Sequence, residues 1–241
     1  MSLDYPLMLA PMYRAADAAF RAQCHQAGAD LSFYVMLARS AESRKGAPAP
    51  QIFPEVDGVP QPQMRTGVQL IGSDPQAMAD EARFLESCFG EGLAVIDINM
   101  GCPIVHVTKL GAGAALLEDL PRAQAIIEAV VAGVALPVSV KFRKGPRAGQ
   151  EIAPEFGRMA EGCGAAALTV HGRTTDQFFD GLADKAVVER VKAKVQIPVY
   201  ASGDIHTAAD VRTYRGLGAD GAMVARAARE DPQVFRELQK A

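Results

Sequence analysis

The chain has 241 residues, of which 49% are hydrophobic and 22% are charged, and its formal net charge is −3. This composition is ordinary for a soluble enzyme, and the length suits one large α/β domain or two small ones. No apolar run approaches the roughly 20 residues that a membrane-spanning helix requires, so we expect no membrane partner. The net negative charge does not favour a nucleic-acid-binding protein of the usual strongly basic kind.

The four cysteines, at positions 24, 88, 102 and 163, form no C-x-x-C pair. This spacing argues against a zinc site and against a disulfide framework, so we expect no metal. The N-terminus also lacks the basic-then-apolar pattern of a secretion signal. We therefore expect a cytoplasmic protein in a reducing compartment.

Short apolar runs alternate with amphipathic segments along the whole chain. Most of these runs are rich in Val, Ile and Leu without strict alternation, which is typical of strands buried on both faces. The predicted strands are 7–11, 31–36, 66–71, 95–100, 138–142, 167–170, 199–201 and 222–224. The predicted helices are 15–27, 75–89, 120–132, 154–163, 185–194, 207–217 and 232–239.

About eight strand–helix units in a chain of this length predict an α/β fold, a single (β/α)8 TIM barrel over residues 1–241. A doubly wound sheet is the alternative, but the G-x-G-x-x-G turn that often follows its first strand does not occur. Residues 44–64 are rich in Pro, Gly and Gln and predict a long loop after the second strand. Loops of that length usually serve as lids or binding segments.

Side chains suited to chemistry fall at the carboxyl ends of these strands, where TIM barrels build their active sites. In chain order they are Pro11, Met12, Gln69, Asn99, Cys102, Lys141, Arg143, His171, Arg173, Ser202, Gly203, Asp204 and Arg226. We expect them to converge on one rim of the barrel.

Cys102 follows a buried strand in a Gly-Cys-Pro turn. An ordinary thiol, with a pKa of about 8.5, is mostly protonated at pH 7 and can donate a proton with little tuning. A nucleophilic thiol needs a lowered pKa from a base or cation such as Lys141, and no Cys–His spacing supports a protease-like pair. Acid catalysis is therefore the more economical interpretation.

The last two predicted strands indicate a phosphate clamp, because the loops after strands seven and eight of TIM barrels often hold phosphates. Gly203 allows close backbone approach, and Arg226 adds a guanidinium. The alternative is that Gly203 only permits a turn and Arg226 is a surface charge. Lys141 and His171 could stabilise negative charge on a bound ring, which suits a reduced flavin. Lys141 could equally be a side chain that reaches solvent at the barrel mouth. His171 could equally be a buried histidine whose hydrogen bonds are made within the protein.

These motifs together resemble the tRNA-dihydrouridine synthase family of flavoenzymes over almost the whole chain. The matching segments are Leu9-Ala10-Pro11-Met12, Asp97-Ile98-Asn99-Met100-Gly101-Cys102-Pro103, Gly111 to Leu117, Val140-Lys141-Phe142-Arg143, His171-Gly172-Arg173-Thr174 with Gln177, and Gly203-Asp204-Ile205. The resemblance implies an FMN-containing TIM barrel that uses NADPH, or NADH, to reduce a uracil ring in RNA.

The resemblance also implies a role for each matching residue. Cys102 would donate a proton to the ring, and the substrate-binding residues would be Asn99, Arg143 and Arg173. The cofactor-binding residues would be Pro11, Met12, Gln69, Lys141 and His171 around the flavin, with Ser202, Gly203, Asp204, Ala225 and Arg226 around its phosphate.

The sequence departs from the family at four places. Ser202 stands where the family usually has Asn, Ala225-Arg226-Ala227 where it has Gly-Arg-Gly, and Tyr34-Val35-Met36 where it often has Thr-Glu-Met. The fourth is at Ala241, where family members continue into a helical domain that grips tRNA. We therefore expect a barrel-only form, without that domain, that binds tRNA poorly by itself because each lost phosphate contact weakens binding.

Three functional hypotheses remain. The first is a tRNA-dihydrouridine synthase that reduces the C5–C6 double bond of uridine, and the second is a related flavin reductase acting on a small uracil-like or enone substrate. The third is a non-catalytic barrel that binds flavin or phosphate. Cys102 argues against the third, since a binding protein needs no proton donor.

Overall fold

The computed structural model describes residues 3–12, 16–38 and 64–241. Eight parallel strands close into a barrel in which each strand pairs with its neighbours in the chain and β8 pairs with β1. The strands are β1 (Leu7–Leu9), β2 (Leu31–Leu37), β3 (Thr66–Ile71), β4 (Leu93–Met100), β5 (Val138–Arg143), β6 (Ala167–His171), β7 (Val199–Ser202) and β8 (Gly221–Val224). The predicted (β/α)8 barrel is confirmed.

In the ranges that the structure describes, helices follow every strand except β2 and cover the outside of the barrel. They are α1 (Ala18–Ala27), α2 (Pro75–Phe89), α3 (Val105–Thr108), α4 (Leu120–Gly133), α5 (Ala153–Gly162), α6 (Val187–Lys192), α7 (Ala208–Gly216), α8 (Arg226–Glu230) and α9 (Val234–Leu238). Side-chain caps start several of them: Asp74 accepts from the third residue of α2, and Thr207 and Asp210 form a capping box on α7. Among the described residues, no helix is long and apolar enough to cross a membrane.

The barrel strands differ in chemistry between their two faces. In β4, Ile96, Ile98 and Met100 pack in the large core between strands and helices, whereas Val95 packs in a separate cluster. Side chains alternate between the faces of a strand, so Asp97 and Asn99 share the inner face with Val95. The apolar run of β4 therefore carries two inward-facing polar residues, Asp97 and Asn99.

The interior of the barrel has an apolar half and a polar half. Near the amino ends of the strands it is filled by Met8, Leu31, Phe33, Val95, Ala167 and Tyr200, and Met223 of the same cluster reaches the cavity lining. Nearer the carboxyl ends, the buried side chains are polar: Gln69, Asp97, Asn99, Ser139, Thr169 and Ser202. The apolar half closes the bottom of the barrel, so a site can open only at the carboxyl-terminal rim.

The predicted elements differ from the observed ones mainly at their ends. α6 and α9 are shorter than predicted because turns flank them, and β4 begins two residues earlier, at Leu93. Two short helices, α3 and α8, and the 3-10 turns Gly90–Gly92 and Gly113–Glu118 were not predicted, because such short segments carry no helical periodicity. Of the predicted loop 44–64, residues 44–63 lie outside the described residues. That one catalytic domain spans the whole chain stays a prediction.

Candidate active site

A cavity of about 290 Å³ opens at the carboxyl ends of the strands. All the predicted site residues except Arg173 line it: Pro11, Met12, Gln69, Asn99, Cys102, Lys141, Arg143, His171, Ser202, Gly203, Asp204, Ala225 and Arg226. The expected convergence on one rim is therefore present in the structure. Within the described ranges, no group of three or more His, Cys, Asp or Glu side chains could hold a metal ion.

The Cys102 turn is fixed from three sides. Asn99 Oδ1 accepts from the backbone N–H groups of Gly101 and Cys102, at 3.1 and 2.9 Å. The Gly101 carbonyl accepts from Arg143 Nε at 2.9 Å, and the Cys102 carbonyl accepts from the Ala114 N–H at 3.0 Å. The turn holds the partly buried thiol in the cavity lining.

Gly113 explains why a glycine-rich segment packs beneath this turn. Its φ is +61°, and a Cβ at this position would lie 2.7 Å from the Cys102 carbonyl oxygen. Only glycine combines this backbone angle with so close an approach.

A chain of hydrogen bonds continues from Asn99 into the barrel interior. Asn99 Nδ2 donates to Gln69 Oε1 at 2.7 Å, and Gln69 Nε2 donates to Asp97 Oδ2 at 2.7 Å. The Ser139 hydroxyl donates to the other oxygen of Asp97 at 2.5 Å. Burial raises the pKa of Asp97 to about 6, against the opposing effects of hydrogen bonds from Ser139 and Gln69 and of the Lys141 charge. The sequence interpretation quoted Asp97 in its motif but assigned no role to it or to Ser139.

Lys141 brings a cation to the cavity from the inner face of β5. It is partly buried, and its amine makes no hydrogen bond or ion pair within the described part of the chain. Burial, and to a lesser extent the neighbouring Arg143 charge, lower its pKa to about 8, against the opposing effects of Asp97 and Cys102. An amine with no protein acceptor that faces a cavity is suited to an anionic or carbonyl oxygen of a ligand.

Arg143 ends β5 and spans the gap between the Cys102 turn and the loop after β6. Besides its bond to Gly101, its Nη1 donates to the carbonyls of Thr174 and Phe178, at 2.8 and 2.6 Å. Its Nη2 has no acceptor among the described residues and remains available to a ligand in the cavity. The guanidinium also lies 5.4 Å from the ring centroid of Phe179, whose side chain stands at the mouth.

His171, at the end of β6, is held as a neutral ring. Its Nδ1 accepts from the backbone N–H of Arg173 at 3.2 Å, which leaves the hydrogen on Nε2. Burial lowers its pKa well below the ordinary value, and the charges of Lys141, Arg143, Arg173 and Arg226 lower it further. The ring therefore lines the cavity as a neutral hydrogen-bond donor.

The turn after β7 and the start of α8 lie side by side, where the sequence predicted a phosphate clamp. Gly203 has φ +110°, and an added Cβ would lie 3.0 Å from Ala183 Cβ and 3.4 Å from the His171 ring. Arg226 is held by Asp204, whose Oδ1 accepts from its Nη2 at 2.6 Å. The first N–H groups of α8 have no acceptor within the helix. These donors suit a phosphate, whereas the Asp204 carboxylate serves to orient Arg226.

The two alanines that stand where the family has glycines differ in their surroundings. Ala225 has a negative φ of −121° and packs beside the inner apolar cluster. Ala227 is buried in the outer core. Ala227 is therefore turned away from the cavity, whereas Ala225 borders it, and the backbone angle of Ala225 does not require glycine.

Arg173 is not brought into the cavity lining. It is 2% exposed, its Nη2 donates to both oxygens of Asp204 at 2.8 and 2.9 Å, and its Nε donates to the Asp180 carbonyl at 3.0 Å. It ties the loop after β6 to the turn after β7. The substrate-binding role implied by the resemblance has no contact in this structure to support it.

Several lining residues were missed by the sequence interpretation, notably Phe179, His206 and Arg229. Arg229 stands three residues after Arg226 on α8, so helical spacing could have indicated it. Phe179 lies in the Phe178-Phe179 pair, and a loop with two exposed aromatic side chains after a barrel strand was an available signal. His206 carried no distinguishing pattern.

A family model described as dihydrouridine synthase (Dus) matches residues 8–241. The chain belongs to the dihydrouridine synthase family. tRNA-dihydrouridine synthase B of Salmonella typhimurium is 40% identical over 237 residues, which cover 97% of this chain and 71% of the relative. The proteins of the same name from Escherichia coli and Xanthomonas axonopodis are 39% and 37% identical, covering 97% and 98% of this chain and 71% and 70% of the relatives.

Solved structures confirm the barrel. A mandelate oxidase variant with (S)-mandelic acid has a TM-score of 0.62 at 18% identity, over 98% of this chain and 70% of its own. FabK from Thermotoga maritima has a TM-score of 0.53 at 18% identity, over 93% of this chain and 59% of its own. At these identities the likeness concerns the fold alone.

As a dihydrouridine synthase family member, the protein is a flavin-dependent oxidoreductase whose cofactor is FMN. The residues present fit this group. Lys141 offers an amine that has no acceptor among the described residues, and His171 offers a neutral N–H donor in the same cavity. Gly203 leaves space that a Cβ would fill, beside a guanidinium suited to a phosphate.

Proposed function

We propose that this protein reduces the C5–C6 double bond of a uridine in tRNA and that NADPH or NADH supplies the electrons. FMN, when bound, supplies a hydride to one carbon of that bond. The observation that carries the proposal is the Cys102 thiol, held in the lining of a cavity that also contains the residues suited to the cofactor.

Cys102 completes the reduction by giving its Sγ–H proton to the second carbon, so that the bond gains two electrons and two hydrogens. The thiolate that remains is reprotonated from solvent through the open cavity mouth. Arg143 and Lys141 lie in the same cavity lining and favour negative charge at the moment of transfer, one as a guanidinium and the other as an amine.

Asn99 and Arg143 are the proposed contacts to the uracil oxygens. Both are buried, both border the Cys102 turn, and Arg143 Nη2 has N–H groups that no residue in the described part of the chain accepts from. Bidentate donors at a ring carbonyl orient the base so that one carbon faces the thiol. A ring that lacks such an oxygen would leave these buried donors unpaired, so the site discriminates against it.

The mouth of the cavity suits a base presented from a polynucleotide. Phe179 is 46% exposed there beside the Arg143 guanidinium, and Arg226 and Arg229 are exposed on the same rim. Enzymes that act on a base in RNA need it out of its stack, and aromatic faces with nearby cations stabilise such bases. The 37–40% identity to curated tRNA-dihydrouridine synthases favours this substrate over a small enone and over a non-catalytic role.

The proposal is tested by flavin reoxidation without oxygen. Purified protein with bound FMN is reduced with NADPH under anaerobic conditions, and unmodified tRNA transcript, native modified tRNA or free uridine is then added. We expect fast reoxidation with the transcript and formation of dihydrouridine, detected by mass spectrometry. Reoxidation only by free uridine, or by none of the three, would refute RNA reduction.

A further inference from the structure

We propose that Asp97 is a positioning residue that fixes the Cys102 turn through two intervening side chains, Gln69 and Asn99. Asp97 is completely buried on the inner face of β4. In the strand register it lies directly beside Gln69 of β3 and Ser139 of β5. The three side chains therefore meet at one level of the barrel, beneath the cavity.

The direction of every hydrogen bond in this chain follows from its two ends. At the turn, the N–H groups of Gly101 and Cys102 are donors only, so Asn99 must present its oxygen to them. Its nitrogen then faces Gln69, which must present its own oxygen, at 2.7 Å. Gln69 is left with its nitrogen directed to the next side chain in the series, at position 97.

Asp97 provides the hydrogen-bond acceptor that the Gln69 nitrogen requires. The Gln69 nitrogen lies 2.7 Å from Asp97 Oδ2, and an ionised carboxylate accepts hydrogen bonds without donating any. An apolar side chain here would leave the buried Gln69 amide without an acceptor, and the amide would gain by rotating toward other partners. Rotation of Gln69 removes the acceptor of Asn99, which then releases the two N–H groups of the turn.

Ser139 provides a matched control, because it contacts the same carboxylate off this path. Its hydroxyl donates to Asp97 Oδ1 at 2.5 Å and makes no bond in the chain from Gln69 to Cys102. Removing the Ser139 hydroxyl changes the surroundings of Asp97 as close to the site as a change at Gln69 would. It leaves the orientation of Gln69 unchanged.

The decisive measurement is hydrogen exchange at the turn, followed by NMR in the purified FMN-bound protein without RNA. We expect Asp97→Ala to accelerate exchange of the Gly101 and Cys102 amides at least about tenfold, while the Ile96 and Ile98 amides of β4 keep their protection. Asp97→Asn should restore protection to within about threefold, because its amide oxygen can accept from Gln69 while its nitrogen faces the Ser139 hydroxyl. Ser139→Ala should stay within about threefold of the parent.

The functional half of the inference rests on the proposed function. Flavin reoxidation by tRNA should slow at least about tenfold in Asp97→Ala and recover in Asp97→Asn, without a matching change in the apparent KM for tRNA. Hydrogen exchange requires no RNA, so its result remains valid even if tRNA proves not to be the substrate.

Three results would overturn the inference. The first is unchanged protection of Gly101 and Cys102 in Asp97→Ala, and the second is equal loss in Asp97→Ala and Asp97→Asn, which would assign the effect to charge. If Asp97→Ala does not fold or exchanges throughout β4, Gln69→Leu decides, since it interrupts the same path with the carboxylate in place. Retained protection of the turn in Gln69→Leu is the third overturning result.

Discussion

At the scale of single residues, the site depends on where each proton resides. Cys102 supplies a hydrogen, His171 carries its hydrogen on Nε2, and Lys141 offers an amine whose charge depends on its surroundings. Burial disfavours the charged forms of the lysine and the histidine, and neighbouring cations disfavour them further. Removing or titrating one of these groups therefore tests its role directly.

Cys102→Ala should slow flavin reoxidation by tRNA about 10²- to 10⁴-fold, the usual contribution of a positioned proton donor. FMN should remain bound, because the thiol is not needed to hold it. Stopped-flow absorbance measures the reoxidation rate, and the flavin absorbance that stays with the purified protein measures the bound FMN. Cys88→Ala is the control, since that cysteine is exposed on α2 and should leave the rate unchanged. Unimpaired reoxidation in Cys102→Ala would remove the thiol from the reaction.

Lys141 should impose a pH limit on the reaction. Its pKa is lowered from 10.5 to about 8, so the ammonium is present below pH 8 and is lost as the pH rises through that value. Reoxidation rates measured from pH 6 to 10 should be level at first and fall above about pH 8. Lys141→Met should be slower below pH 8 and should fall less steeply above it, because the Cys102 proton donor still titrates in the alkaline range. A fall as steep as in the parent would assign the whole limb to another group, such as the Cys102 thiol.

At the scale of elements, the turn after β7 and the start of α8 act as one unit. Asp204 links them by accepting from Arg226 and Arg173, and its own φ of +49° is unusual for a residue with a side chain. Burial opposes ionisation of Asp204, but the hydrogen bonds of Ala183 and Arg173 outweigh it and lower its pKa. The carboxylate therefore stays charged and keeps both arginines in place at neutral pH.

Gly203→Ala should disturb both the fold and cofactor binding. A residue with a Cβ loses about 1–2 kcal/mol in the left-handed region, and here the methyl also meets Ala183 and His171. Urea unfolding should show this loss in the free energy of unfolding, and dialysis should show faster release of FMN. Gly216→Ala, at the end of α7 with open space around it, should instead be neutral or stabilising by up to about 1 kcal/mol.

Arg226→Ala should weaken FMN binding about tenfold to a hundredfold. A charge-assisted hydrogen bond contributes roughly 1.5–3 kcal/mol, and 1.4 kcal/mol corresponds to one factor of ten in Kd. Fluorescence titration of FMN into flavin-free protein measures the change. Arg212→Ala, on the exposed face of α7, is the matched control and should leave Kd unaltered. Equal affinities in the two variants would exclude Arg226 from the clamp.

At the scale of the whole molecule, the barrel places a polar layer above an apolar one. The apolar layer supplies stability through burial, whereas the polar layer carries buried ionisable groups that reduce stability. Asp97 is the clearest case, because it is completely buried and its pKa rises from 3.8 to about 6.

Asp97→Asn should change how stability depends on pH. Between about pH 4 and 6 the folded parent retains a proton that the unfolded chain has lost, so this group reduces the free energy of unfolding as the pH rises through that window. The full reduction, on the order of 3 kcal/mol at 1.36 kcal/mol per pKa unit, is present above pH 6. In urea unfolding curves, the free energy of unfolding of the variant relative to the parent should rise by up to that amount between pH 4 and 7. A constant difference would show that Asp97 does not titrate in this range.

Much of the rim could be predicted because position at a strand end is a local property. The runs before Asn99, Lys141 and His171 are apolar enough to be read as strands, and polar residues at their carboxyl ends must share one rim. What Arg173 contacts could not be predicted in this way. Its partner Asp204 lies 31 residues further along the chain, and whether a guanidinium turns toward the cavity or into the wall depends on that partner.

The sequence by itself determined the eight strands, most of the helices that follow them and the Asn99–Pro103 turn, since periodicity and turn chemistry act over a few neighbouring residues. Only the tertiary structure decided how Gln69, Asp97 and Ser139 join beneath that turn, because these contacts cross 28 and 42 residues of chain. The register of adjacent strands brings such side chains to one level inside the barrel. Register is set when the barrel closes, so no single segment of the sequence contains it.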